Sequence, residues 1–459
     1  MDRIIIIGGG ISGLSLGYLL QKRKPSIDLI VLEAEKRVGG KIWSDKADGF
    51  LCESGVNGFL DNKPKTLELA SDLLLTPLRS SDAARKRFIF SEGRLHMLPD
   101  SPSAFFKSNL LSLWGRLRII YEILAPRTEK EDESLAEFGT RRLGREAFEK
   151  LIDPMASGIY AGDPAALSLR SCFPRIHQLE SDYGSLIRAM IKLKKKAKKE
   201  GKAGPGAGPG GVLTSFFEGM ETFVVALKAS LGEKVRPMSK VVSLSKNSRR
   251  YTVHLQDGSS IEADAAVVAA PAHAAAGILK DFDADLSRTI SEIPYPPVSV
   301  VCTGFKKDKI GSSLDGFGFL VPYREKRRIL GTLWDSSIFP NRAPEGYVLL
   351  RSMLGGARAS SIALQGETRL ADMVTGELGD VMGIKAQPDF VKVYVHEKAI
   401  PQYTLGHQKR LKLMDDIVVK YKGLYLTGNS YRGISVNDCI ENSYKLASEI
   451  LAEEKNKGA

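Results

Sequence analysis

At residues 3–7 an arginine and four isoleucines meet three glycines, then apolar positions at helical spacing over 14–22, then a second apolar run at 28–32. An unbroken short apolar stretch is the pattern of a strand buried on both faces. The three pieces predict a strand–helix–strand unit within about thirty residues. The segment 87–98 predicts a hairpin that turns at Glu92-Gly93. From 101 to 199 the spacing turns mostly helical. It opens on an apolar cluster of Phe105, Phe106, Leu110, Leu111, Leu113 and Trp114, which reads as exposed, and ends in KLKKKAKKE at 192–200. The following GKAGPGAGPGG, 201–211, cannot build a core and reads as a linker or loop that closes an inserted helical unit. Beyond it the pattern predicts a strand over 212–217, a helix over 220–231 and strands at 240–244, 251–255, 260–264 and 265–269. Residues 298–354 are strand-rich, 368–382 helical, 423–427 a short strand, and 438–451 a last helix.

Composition adds bounds. The 459 residues are too many for one ordinary core, so two or three domains are expected. Hydrophobic residues make up 43% and charged ones 26%, the balance of a water-soluble globular chain. No uncharged apolar window reaches the length of a membrane span, and the start lacks the apolar region of a signal peptide. The chain is therefore expected to stay in the compartment where it is made. Its four cysteines are far apart and predict reduced core thiols, and no ligand-spaced histidine pair suggests a metal. The net charge of +12, more than half of it within 85–200, suits an anionic partner: nucleic acid, an acidic lipid surface or a carboxylated substrate. Nothing resembles a helix-turn-helix or zinc finger, which argues against nucleic acid.

The first glycines carry chemistry. Gly8, Gly10 and Gly13 have GxGxxG spacing between a strand and a helix. One permits a tight turn, one lets backbone approach a pyrophosphate, and one lets the helix pack on the strand. The backbone of Gly8, Gly9, Gly10, Ile11, Ser12 and Gly13 would then face the phosphates at a helix N-terminus. Glu33, twenty residues after Gly13, ends the second strand, where a carboxylate accepts ribose hydroxyls.

The extension EAEKRVGGK, residues 33–41, resembles the ExxxRxGGK motif of FAD enzymes of the flavin amine oxidase-like superfamily. GLYLTGNSYRGISVNDCI, 423–440, resembles that superfamily's second flavin motif. The resemblance implies noncovalent FAD held between the two chain ends. Its contacts would be Ala34, Arg37, Gly39, Gly40 and Lys41 near the first motif and Gly428, Asn429, Ile434, Ser435 and Val436 in the second. Cys439 lies on the helix after the turn, and no flavin–cysteine bond is expected. Between the ends, ESGVNGFL (53–60), AARKRFIF (83–90), SGIYAGDPAALSLRSCFP (157–174), GFGFLVP (316–322), LGTLW (330–334) and IPQYTLGH (400–407) resemble the protoporphyrinogen oxidase family.

That resemblance implies an α/β fold with α+β insertions: a Rossmann-like FAD domain (1–85, 212–276, 411–459), a strand-rich substrate domain (86–92, 277–410) and a helical membrane-binding domain (93–211). It implies six-electron oxidation of protoporphyrinogen IX with molecular oxygen as acceptor and hydrogen peroxide as by-product. It places Gly55, Val56, Asn57, Gly58, Val241 and His396 at the cofactor. Asn57, Gly158, Leu320, Leu333 and Met353 would line the substrate pocket, and Arg87 would bind a propionate. Read from the residues alone, Arg87 beside Arg85 and Lys86 is one charge of a solvent-facing run. No acid or base is assigned. The family's usual Gly-Pro-Asn is Gly55-Val56-Asn57 here, His396 replaces a common tryptophan, and Met353 a common aromatic. Coproporphyrinogen III oxidase is the near alternative; another flavin amine oxidase or desaturase, or a basic membrane-surface protein without activity, is a more distant one. The expected setting is the cytoplasmic face of a membrane, as a monomer or homodimer, with ferrochelatase the next enzyme.

Overall fold

A computed structural model describes residues 3–99, 104–105, 108–199, 210–247, 250–311 and 313–458, without the side chains of 454–458. The isoleucine run forms the strand Arg3–Ile7 at the centre of a five-stranded parallel sheet. Its neighbours are Asp28–Leu32 and Ala265–Val268, with Val235–Arg236 and Leu424–Leu426 at the edges. Ile4, Ile5 and Ile6 have no exposed surface, since both faces are covered. The helices Ile11–Arg23, Glu221–Leu231 and Val436–Gly458 cover one face. On the other lie a small antiparallel sheet (Val241–Lys246, Tyr251–Leu255, Ser260–Ala263) and the helices Ala272–Leu279, Ala284–Ser291 and His407–Val418. Burying each such aliphatic side chain contributes roughly 1.5–3 kcal/mol.

A second sheet has seven strands in the order Phe390–His396, Val298–Lys306, Tyr347–Gly355, Ile329–Leu333, Gly318–Leu320, Arg87–Ser91 and Arg94–Met97. The helix Glu367–Met382 closes one face, burying Leu370, Val374 and Leu378 against Val301, Phe319, Leu350 and Leu354. The 87–97 hairpin turns at Glu92 and Gly93, both at positive φ. Two expected boundaries move. Leu286, Ile290, Ile293 and Tyr295 pack into the core around Ile5 and Val268, so residues 277–295 sit on the dinucleotide unit. Residues 94–97 belong to the seven-stranded sheet and not to the helical insertion.

The helical insertion has its own core of Leu135, Phe138, Ala156, Tyr160, Leu167 and Leu169. A buried charge network ties it together: Arg142 contacts Glu122 and Glu180, and Glu122 accepts the N–H groups of Leu186 and Ile187 at the start of the helix Leu186–Lys199. The burial pattern corrects the reading of the apolar cluster as one exposed patch. Leu110 and Leu111 are buried, whereas Leu113 and Trp114 are exposed, Trp114 at 79%. Phe105 is half-buried, and Phe106 lies outside the described residues, as does most of the glycine-rich 201–211 segment. The exposed stripe continues through Leu117, Ile120, Tyr121 and Leu124. Arg118 faces inward and donates to the carbonyls of Arg141 and Arg142, at a helix C-terminus. Among the described residues no helix is long and apolar enough to cross a membrane.

Candidate active site

The glycine turn forms one end of the site. Gly8 has φ +117°, and a Cβ there would lie 2.9 Å from the Ala269 carbonyl carbon. A Cβ on Gly13 would lie 2.0 Å from the Gly8 carbonyl oxygen, so the helix can approach the strand only without a side chain. Gly10 differs: nothing lies within 4 Å of its Cβ position. No side chain caps the helix Ile11–Arg23 that starts after it. Its first N–H groups and the positive helix end therefore face open space suited to a pyrophosphate. Glu33 accepts the N–H of Gly9 at 2.8 Å and of Glu35 at 3.0 Å, which holds its carboxylate beside the turn. Ser239 donates its N–H to the Glu33 carbonyl, bringing the segment that leads to Val241 alongside.

Arg37 is braced internally. It donates to the carbonyls of Val38, Ile42 and Gly40, lies over the Trp43 ring and stands 3.7 Å from Glu221. It shapes the Gly39–Gly40 loop, which meets the first glycines through a Gly10–Gly39 bridge. The Lys41 carbonyl is 3.0 Å from a Cβ position on Gly55, so the 39–41 and 55–58 loops touch.

The seven-stranded sheet gathers the substrate candidates. Register pairs Met353 with Val300 and Gly331, Leu320 with Gly331, Leu333 with Arg351 and Gly318, and Gly318 with Arg87. His396 pairs with Val298. Side chains alternate along strands, so Arg87, Leu320, Leu333, Met353 and His396 share one face, opposite the helix Glu367–Met382. All five are half-buried. Met353 and Arg87 are three strands apart, about 14 Å. Gly158, on the helix Asp153–Tyr160, faces Leu320: a Cβ there would be 2.6 Å from Leu320 Cδ2.

At the Arg87 end the guanidinium lies over the Phe317 ring, and burial lowers its pKa. No described acidic side chain pairs with it. At the other end His396 donates from Nε2 to the Ser54 carbonyl at 2.8 Å, and burial lowers its pKa, so the ring is neutral. It clamps the loop that carries Asn57, whose side-chain amide oxygen and nitrogen are both buried without a partner. Two orphaned polar atoms between the glycine turn and the sheet face fit a polar ring edge such as that of a flavin.

Three supporting residues escaped the sequence reading. Arg351 and Asp335, 1% and 0% exposed, form an ion pair at 2.8 Å. Arg351 also donates to the Gly55 carbonyl, anchoring the 55–58 loop to the sheet. An arginine in the mostly apolar strand Tyr347–Gly355 was the available signal. The third is Glu53, which accepts from the Met220 N–H and Ser44 hydroxyl, both at 2.8 Å. Burial pushes its carboxyl up to about 7. Its folded value exceeds the unfolded one, so its contribution is fully present at acid pH and is lost as pH rises through about 7. Melting curves from about pH 5 to about pH 8 should fall more steeply for wild type than for Glu53→Gln. Parallel curves would exclude this titration.

The turn after Leu424–Leu426 completes the site. Gly428 has φ +119°. Ser435 and Asp438 cap each other at the start of the last helix, with the Ser435 hydroxyl 2.6 Å from Asp438. This places the Ile434–Val436 helix start beside the first glycines, as Ser443 on the same helix donates to the Ser12 carbonyl. Cys439 is buried and its thiol pushed up to about 11, so it stays protonated.

The family model for flavin containing amine oxidoreductase matches residues 11–451. Coproporphyrinogen III oxidase of Bacillus subtilis (strain 168) is 33% identical over 463 residues, covering 98% of this chain and 97% of the relative. Protoporphyrinogen oxidase 1, chloroplastic, of Arabidopsis thaliana is 33% identical over 468 residues, covering 97% and 87%. A crystal structure from Exiguobacterium sp. 255-15 shares the fold with a TM-score of 0.84 at 24% identity, covering 98% of this chain and 99% of that one.

Proposed function

The chain belongs to the flavin containing amine oxidoreductase family, and from that premise we propose that it is an FAD-dependent, oxygen-using protoporphyrinogen oxidase of haem biosynthesis. Its reaction converts protoporphyrinogen IX to protoporphyrin IX in three two-electron oxidations, with three molecules of oxygen leaving as hydrogen peroxide. When bound, FAD supplies the two-electron acceptor for hydride removal from the macrocycle. The open space before Gly10 would take its pyrophosphate, Glu33 its ribose, and the orphaned Asn57 amide its ring edge.

The protein's own task is positioning. Leu320, Leu333 and Met353 offer an apolar wall that orients the macrocycle and sheds water, and Met353 adapts its shape to the ring. His396 donates to the Ser54 carbonyl, which gives it the task of holding the 54–58 loop.

The observation that carries the substrate assignment is Arg87: a half-buried cation without an acidic partner among the described residues, at one end of that wall. Protoporphyrinogen has its two propionates along one edge, and a single guanidinium fork at one end suits it. Coproporphyrinogen bears carboxylates around its whole rim, and the apolar wall gives the others no partner. The Bacillus subtilis relative keeps that substrate as the second reading. Product spectra with each porphyrinogen under oxygen decide between them. Arg87→Ala should raise the Michaelis constant for protoporphyrinogen roughly ten- to hundredfold, about 1.5–3 kcal/mol, with full flavin content. An unchanged constant removes Arg87 from the site.

We also read the helical insertion as the surface that rests on the cytoplasmic face of a membrane. Leu113, Trp114, Leu117, Ile120, Tyr121 and Leu124 recur at helical spacing on the outer face of Leu113–Ile120 and the turn after it. Interfacial binding needs such an apolar face together with basic residues, which the helix Leu186–Lys199 supplies. The protein should sediment with anionic vesicles at low salt. Trp114→Asp with Leu117→Asp should reduce sedimentation more than loss of two lysines from 192–199. Wild type that ignores anionic vesicles at low salt would refute the docking and leave the flavin chemistry intact.

A further inference from the structure

The segment 400–407 matched a family motif yet contributes none of the contacts assigned above. Its geometry gives it a task. Tyr403 is 1% exposed, and its ring lies in the core of the helical insertion with Leu135, Phe138, Tyr160 and Leu167. Its carbonyl accepts the N–H of Ser168 at 2.9 Å. Its hydroxyl leaves that core and donates to the Asn429 carbonyl at 2.6 Å, in the turn that follows Gly428. The ring stacks on His407 at 4.1 Å between centroids and 15° between planes. His407 in turn donates from Nε2 to the Tyr431 carbonyl at 2.8 Å. Burial lowers its pKa to about 4, so it keeps this role, uncharged, near neutral pH. Next to Tyr403, the Gln402 amide donates to the Tyr160 carbonyl at 2.8 Å, at the end of the helix that bears Gly158. Two side chains of one strap thus hold two carbonyls of one turn, while a third holds the substrate-side helix.

We propose that Tyr403 is a positioning residue for the flavin, with His407 as its second anchor: together they fix the 428–431 turn from inside the core of the helical insertion. A turn whose carbonyls are pinned keeps its N–H groups aimed one way. Groups aimed in advance bind a ligand without a cost of ordering. The turn cannot shift unless the helical insertion shifts with it, because the Tyr403 ring is packed there.

This inference rests on the placement of flavin against that turn, so its test needs a control for that placement. Tyr403→Phe keeps the ring and removes the hydroxyl. Apoprotein of this variant, reconstituted with FAD, should bind it about fivefold more weakly than wild type, the effect of one lost neutral hydrogen bond. The bound flavin should show a displaced midpoint potential and altered visible fine structure, and the Michaelis constant for porphyrinogen should stay near wild type. His407→Gln, whose amide can still donate to Tyr431, should restore most of what His407→Leu loses. The His407 pair carries the same test should Tyr403→Phe fail to fold. Wild-type affinity, potential and spectrum in Tyr403→Phe and His407→Leu would overturn the inference, provided Gly10→Val loses FAD in the same assay. If Gly10→Val also keeps its FAD, the cofactor placement itself has failed.

Discussion

Gly10→Val should give folded, colourless protein. Valine adopts the backbone geometry of Gly10 (φ −75°, ψ 178°) without strain, and its Cβ meets nothing within 4 Å. The apoprotein should therefore melt like wild-type apoprotein. The new side chain fills the space in front of the helix N-terminus, where a pyrophosphate needs contact with bare backbone. Gly13→Ala is the contrasting case. Its Cβ would sit 2.0 Å from the Gly8 carbonyl, so this variant should fail as a fold before it fails as a binder. Far-ultraviolet circular dichroism and flavin absorbance separate the two outcomes. A Gly10→Val protein with a full complement of FAD would move the phosphate site elsewhere.

Asp335→Ala should be the most destabilising single truncation near the substrate face. It leaves Arg351 as an uncompensated charge with 1% of its surface exposed, a change that costs about 3–5 kcal/mol. That is a large share of the roughly 5–15 kcal/mol that holds a typical domain folded. The loop at Gly55 should loosen as well, because Arg351 anchors it. Adding Arg351→Met removes the stranded charge, so the double variant should melt above Asp335→Ala. If the double variant melts lower still, the hydrogen bonds of Arg351 to the loop outweigh its burial cost.

The parts of this molecule that were legible in the sequence are those whose physics is local. Strand, glycine turn and helix succeed one another within residues 3–23, and Glu33 follows at the end of the next strand. Arg87, Leu320, Leu333 and Met353 were named by resemblance, but only strand register shows that they share a face. The strand Phe390–His396 went unread because its exposed Val391 and Val395 blur the alternation of an edge strand. The helices Pro64–Asp72, Ala272–Leu279, Ala284–Ser291 and His407–Val418 were also missed; the first three have too few turns for an apolar periodicity to stand out. The apolar cluster near residue 110 shows the limit of hydrophobicity as a guide. Leu111 and Leu113 look alike in sequence, yet Leu111 is buried and Leu113 exposed, a difference set by tertiary packing rather than by local hydrophobicity.

The parallel sheet under the glycine turn joins the first strand of the chain to one of its last. Arg3–Ile7 emerges from the ribosome early, its neighbour Ala265–Val268 halfway through, and the edge strand Leu424–Leu426 near the end. The turn after that edge strand makes up half of the proposed cofactor site. On the proposed placement, flavin capture follows synthesis of the strand Leu424–Leu426. A polypeptide stalled before that point leaves the Ala265–Val268 strand with an unpaired edge. Such an edge, formed by the apolar residues Ala265, Ala266, Val267 and Val268 with open backbone, is a substrate for chaperones or for aggregation. A flavin bound at the proposed site would thus close, last, a fold assembled from pieces distant in sequence.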